Sequence, residues 1–114
     1  MNKNKTLVAA ALLASIIPAM AVALPPNPAF KGKVVDIFMN DGQVLVQVEG
    51  GVKGTCTGAF ANYNLTFDFA DAQSETKLAL IRDAFVNGKI IAGSVQGCGS
   101  SNINKLHQFA IANK

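Results

Sequence analysis

Histidine, cysteine and clustered positive charge are scarce in this chain, and each shortage removes a class of function. The 114 residues include one histidine, His107, and two cysteines, Cys56 and Cys98. A zinc site needs four ligands at short spacings, so these three side chains do not make one, and neither a metal nor a cofactor is expected. His107 lies in an apolar-alternating stretch, where a packed or rim histidine is the expectation rather than a base or ligand. Ser74, Ser94, Ser100 and Ser101 have no G-x-S-x-G setting, so no activated nucleophile is visible. Gly97-Cys98-Gly99-Ser100 lacks the Gly-Lys-Ser/Thr ending of a phosphate cradle and does not open a helix. No catalytic residues are assigned, and the chain is not expected to be an enzyme.

What the sequence does have begins at its start. Lys3 and Lys5 precede an apolar run from Leu7 to Ile17, Pro18 breaks it, and Ala19, Ala21 and Ala23 offer small-residue cleavage sites. This is the layout of a secretory signal peptide over residues 1–23, and the run is too short to span a bilayer. Cleavage after Ala23 suits the pattern better than after Ala21. The formal charge of +3 includes Lys3 and Lys5, so the mature domain is left near +1. Lys31 and Lys33 are then the only close cation pair, which argues against nucleic acid, because neutralising phosphates needs clustered cations.

The leader predicts an exported protein, periplasmic or secreted, in a compartment that permits disulfides. Cys56 and Cys98 stand 42 positions apart. A bond closing a loop of that length stabilises by about 4 kcal/mol in the chain-entropy model. Two free thiols are the competing reading. A mature chain of roughly 90 residues builds one thin core, which such a staple would support.

Leu24 to Phe30 holds Pro25, Pro26 and Pro28 and reads as an extended arm, with a single domain over 31–114. Val34–Met39 and Gln43–Glu49 flank Asp41-Gly42, a favoured type I′ hairpin pair. That turn sets Met39 opposite Val44, Ile37 opposite Val46 and Val35 opposite Val48, all on one face. Asp36, Gln47, Phe38 and Leu45 fall on the other. A third strand region from Thr55 to Phe69 is interrupted near Gly58–Asn62. Its second half alternates, with Tyr63, Leu65, Phe67 and Phe69 on one side and Asn64, Thr66 and Asp68 on the other. Ala72–Asn87 changes to helical period, with Leu78, Ile81 and Phe85 as its stripe and Ala84 at the flank. Asp71 or Ser74 can cap its start, and Asn87-Gly88 suits a left-handed stop. Lys89–Val95 is a strand, Gln96–Asn102 a loop holding Cys98, and Ile103–Ala112 a last strand with Ile103, His107, Phe109 and Ile111 as candidates for one face.

The order is β-β-β-α-β-β: mainly β with one helix, the element list of an OB-fold-like small Greek-key barrel. An open α+β sheet has the same list. The exported leader, OB-like order, single disulfide and apolar last strand together resemble the B subunits of pentameric bacterial toxins. The cholera and heat-labile enterotoxin branch ends in a strand that follows its second cysteine. The stretch from Cys98 through Asn102 to Phe109-Ala110-Ile111-Ala112-Asn113-Lys114 is similar in layout. The helix from Ser74 to Gly88, leading into a strand, fits that branch and the subtilase-toxin branch. The chain departs from the enterotoxin pattern in placing Cys56 mid-domain and in having no tryptophan, so no glycan-binding residue carries over by position. The resemblance implies a homopentameric module that binds host surface glycans.

From the residues themselves, Asn62-Tyr63-Asn64 is the leading binding candidate, since amides beside a phenol ring can hydrogen-bond and stack on a sugar. A polar turn with Tyr63 packed on the barrel is the alternative. Asn64-Leu65-Thr66 is a chance sequon in an alternating strand. Asp68 and Asp71 can do acid–base work or hold a cation, but capping by Asp71 and solvation of Asp68 is preferred. The alternative to a glycan-binding oligomer is a monomeric exported factor that binds another protein, as an inhibitor or envelope accessory protein.

Overall fold

A computed structural model describes residues 27–112. The signal-peptide reading, the Leu24–Pro26 part of the arm and the last two residues lie outside the described residues. The elements are β1 (Phe30–Asn40), β2 (Gln43–Val48), β3 (Leu65–Asp68), α1 (Ser74–Asn87), β4 (Ile90–Cys98) and β5 (Asn104–Ala112). Hydrogen bonding runs β1-β2-β3-β5-β4 and returns to β1, a closed barrel. Closure removes the open-sheet alternative and gives the OB-fold-like ring.

The hairpin forms as its turn demands. Asp41 and Gly42 take φ of 47° and 77°, the positive pair that a type I′ turn requires. Met39 pairs with Val44, Phe38 with Leu45, Ile37 with Val46 and Asp36 with Gln47, as expected. The expected Val35–Val48 pair does not form: a bulge at Val35 makes Val34 the partner of Val48. Val34 is accordingly 5% exposed and Val35 39% exposed. The cause lies in the ring. β1 pairs with β2 through Val34–Asn40 and with β4 through Phe30–Lys33, and one extra residue supplies the bend that sharing demands. Phe30, expected in the arm, is the first residue of β1 and buried in the core.

β5 carries a second irregularity of this kind. Its ladder with β4 steps from Ser94–Gln108 to Val95–Leu106, which leaves His107 unpaired. Leu106 therefore points into the core while His107 is exposed, off the face expected to hold it with Phe109 and Ile111. Gly93 marks a close approach of these strands, since a Cβ there would run into the Gln108 carbonyl and Phe109. The third strand is shorter than its pattern suggested. Only Leu65–Asp68 is strand, and Thr55–Asn64 belongs to a long connection. Leu65 and Phe67 enter the core, but Phe69 is 39% exposed.

The core gathers Val44, Val46 and Val48 of β2, Leu65 and Phe67 of β3, Ile91 of β4 and Leu106 of β5. Full burial of each such side chain contributes about 1.5–3 kcal/mol. Ile81 and Ala84 of α1 join it, with Leu78 packed against it. The inward stripe is thus 78, 81, 84, and Phe85, one residue beyond it, is 44% exposed. Gly88 ends the helix at φ 64°, its N–H bonded to the Ala84 carbonyl. The start differs from expectation. Gln73 occupies the cap position without a side-chain bond, while the Ser74 hydroxyl donates to the Phe69 carbonyl and Asp71 accepts from the Asp68 N–H.

Candidate functional site

The outward face of β1 presents Asp36 and Phe38, as the hairpin register dictates. Tyr63 meets them from the connection before β3. A tight turn over Phe60–Tyr63, with the Tyr63 N–H donating to the Phe60 carbonyl at 3.1 Å and Ala61 at φ 52°, brings Phe60 alongside. The ring centroids of Phe38, Phe60 and Tyr63 lie 5.9, 5.8 and 6.1 Å apart, with interplanar angles of 24–25°. A single column of three rings would put its end members about twice the neighbour spacing apart. Three near-equal separations instead make a triangle, a small aromatic platform on the outside of the barrel. Phe38 is 39% exposed and Phe60 37% exposed, a large share for phenylalanine in a thin domain.

The platform has a polar rim. The Tyr63 hydroxyl donates to the Asp36 carboxylate at 3.0 Å. Removal from water, then this bond and the negative charge of Asp36, hold the phenol above its ordinary range. Asn62 is exposed in the turn beside Tyr63. Asn64 is used differently. Its Oδ1 accepts the Val48 N–H and its Nδ2 donates to the Val48 carbonyl, both at 2.9 Å, so its side chain extends the β2–β3 ladder by one rung. The same bonds commit the amide nitrogen that the sequon would offer. Of the expected trio, Tyr63 and Asn62 stand at the platform and Asn64 anchors its base.

The connection that carries Phe60 is held from below. Cys56 and Cys98 form a disulfide with Cα atoms 5.8 Å apart, tying the connection to the end of β4, where Cys98 closes the strand rather than lying in the expected loop. Such a bond suits an oxidising compartment outside the cytoplasm. Around it, Gly58 N–H donates to the Asn102 carbonyl at 2.8 Å, Cys56 N–H to Asn104 Oδ1 at 3.3 Å and Asn102 Nδ2 to Thr57 Oγ1 at 3.3 Å. The turn at Ser100–Asn102 also roofs the outward side of the barrel. Gln43 Nε2 donates to Thr66 Oγ1 and the Ser100 carbonyl, and outward-facing Leu45 is only 1% exposed.

The paired carboxylates form a strut. Lys105 Nζ lies 3.0 Å from Asp71 Oδ1 and 3.6 Å from Asp68 Oδ2. Asp71 is held below the usual carboxylate range, first by the Asp68 backbone N–H and then by Lys105. Lys105 is raised, mainly by its bond to Asp71. The ionised forms of Asp71 and Lys105 are thus stabilised. His107 faces a cleft of about 210 Å³ between α1 and the β5 bulge, with Thr76, Lys77 and Phe109. Among the described residues no three metal-ligating side chains cluster, and no helix is long and apolar enough to cross a membrane.

Phe38 and Phe60 were not among the expected site residues. Phe38 was legible as an outward aromatic from the hairpin register alone. Phe60 had no such signal, because only the folded connection brings it to β1. No family model, curated protein or solved structure matches the chain.

Proposed function

We propose that this protein is an exported, non-enzymatic binding module whose ligand seats on the Phe38–Phe60–Tyr63 platform. The exposed aromatic triangle carries the reading. Flat ring faces pack against the C–H faces of a pyranose, and the Asp36 carboxylate and Asn62 amide at the rim can hydrogen-bond sugar hydroxyls. The ligand is a host surface glycan, and the module acts as a homo-oligomer, a homopentamer in the manner of the toxin B subunits it resembles. Phe85 and Val86, 44% and 76% exposed at the last turn of α1, are apolar surface that a neighbouring copy would cover. Export rests on the leader pattern together with the disulfide.

A glycan array with the mature protein tests this, with Phe60→Ala and Phe38→Ala as controls. Binding by the natural sequence that falls at least about tenfold in both variants is expected, as for loss of a buried aromatic anchor. Undiminished binding by either variant would sink the platform reading. Native mass spectrometry at micromolar concentration tests the assembly, and a strict monomer there removes the toxin-like arrangement. A protein ligand, as for an inhibitor or envelope accessory factor, is the second reading. The same exposed aromatics favour it, since aromatic side chains are enriched at protein interfaces.

A further inference from the structure

We propose that the Cys56–Cys98 disulfide is a redox latch on the aromatic platform: reduction by a dithiol frees the connection between β2 and β3 and takes the platform apart, while the barrel stays closed. This rests on the platform being the binding site, and it names how that site is regulated.

Only one end of the latch lies in the barrel: Cys98 is the last residue of β4, paired with Asn104 of β5, while Cys56 lies in the connection. The core is built from strands and helix and includes neither cysteine. The ring closes by backbone pairing, four residue pairs between β1 and β4 and the parallel Thr66–Lys105 pair between β3 and β5. Cys98 is exposed and Cys56 half-buried, so an incoming thiolate can reach the bond.

What the disulfide does hold is the connection. That segment contains no strand between Val48 and Leu65. The three hydrogen bonds that pin its middle to the Ser100–Asn104 region come from Cys56, Thr57 and Gly58, beside or at the cysteine itself. Each contributes only about 0.5–1.5 kcal/mol net, and all three lie within two residues of Cys56. Upstream, the Lys53 N–H donates to the Ala29 carbonyl at 2.8 Å. Downstream, Asn64 is anchored on Val48. Phe60 lies between these anchors and supplies one corner of the triangle. Once the bond opens, only the weak hydrogen bonds at Cys56, Thr57 and Gly58 hold the chain just ahead of Phe60, and with their loss the triangle loses that corner.

The chemistry balances. A thiolate of the dithiol attacks Cys98 Sγ, the S–S bond breaks and Cys56 leaves as a thiolate that takes up a proton. The second thiol of the reductant then displaces Cys98 from the mixed disulfide. Two electrons pass to the protein, which ends with two thiols, and the reductant ends as a disulfide.

The test needs no ligand. Tyr63 is the only tyrosine and tryptophan is absent, so the ultraviolet titration of the phenol reports the platform directly. Peptide-resolved hydrogen exchange reports the barrel. In mature protein treated with dithiothreitol, exchange over residues 49–63 is expected to rise by about tenfold or more, while the β1, β2, β4 and β5 peptides keep their protection. The Tyr63 titration is expected to fall toward the ordinary value of 10.0. The double substitution Cys56→Ser with Cys98→Ser should show the same two changes without reductant and no response to it. Uniform loss of protection would mean that the bond holds the barrel, and unchanged exchange in the connection would mean that it holds nothing. Either result overturns the latch. A failed glycan screen leaves both structural readouts standing, and ligand binding that survives reduction rejects the latch while keeping the binding site.

Discussion

Asn64 offers a sharp test of how the connection is anchored. Its amide satisfies both backbone groups of Val48, at 2.9 Å each, and Val48 is 2% exposed. Asn64→Ala removes two hydrogen bonds worth about 1 kcal/mol each and leaves a buried N–H and carbonyl unpaired, for a total of about 2–3 kcal/mol. For a domain this small, with a urea m-value of about 1 kcal/mol/M, the unfolding midpoint should fall by about 2–3 M. Asn64→Asp separates the two bonds. At neutral pH its carboxylate still accepts the Val48 N–H but sets a second acceptor against the Val48 carbonyl. Protonation restores a donor there, so the folded state raises the pKa of the introduced carboxyl above its unfolded value. A raised acid costs stability above that pKa and recovers it as pH falls through it. Urea midpoints of the two variants should therefore diverge in acid, Asn64→Asp gaining on Asn64→Ala. An Asn64→Ala loss under about 0.5 kcal/mol, or a gap between the variants that ignores pH, would refute the reasoning.

Other perturbations have equally definite outcomes. Asp71→Ala should cost about 1–2 kcal/mol at pH 7, because the Asp68 N–H loses its partner and Lys105 loses the nearer of its two carboxylates. Asp71 is held below its usual 3.8, so its contribution is present above that value and lost as pH falls through the depressed pKa. Thermal melts from neutral to strongly acid pH should accordingly show a shallower acid limb in the variant. Lys105 is raised above 10.5, so its share persists below that pH and disappears only in stronger alkali. Ala61→Gly should stabilise by about 0.5–1 kcal/mol in denaturant titration, since Ala61 bears the steric cost of a positive φ. Gly93→Ala should destabilise by about 1–3 kcal/mol or fail to fold, because its Cβ meets the Gln108 backbone; an unchanged melting temperature would contradict the close approach.

The sequence carried the fold well wherever a feature was local. Asp41-Gly42 and the flanking alternation dictated the hairpin register as far as Asp36, and Gly88 dictated the helix stop. The departures at Val35 and His107 share one cause. Each is a bulge that the closed ring needs in order to bend, and that need arises from strands distant in sequence, so alternation cannot announce it. Phe85 was misplaced for a smaller reason, since 78, 81, 85 and 78, 81, 84 are both good helical rows and only the packed core selects between them. At the site, Tyr63 and the outward Phe38 were readable separately. Their meeting with Phe60 was not, because it depends on how a strandless connection folds back over the sheet.

The barrel divides, by chain order, into two locally paired halves. One is the β1-β2-β3 meander and the other the β4–β5 hairpin, with α1 between them. Two seams, β1 with β4 and β3 with β5, join the halves. Each half can begin to pair from neighbouring chain, but the seams wait on long loop closures and so belong to the later stage of folding. Cys56 comes from the first half and Cys98 from the second. As the chain has no third cysteine, it has no wrong intramolecular partner to offer. The one cross-link therefore spans the same division as the two seams, and joins covalently what they join by pairing.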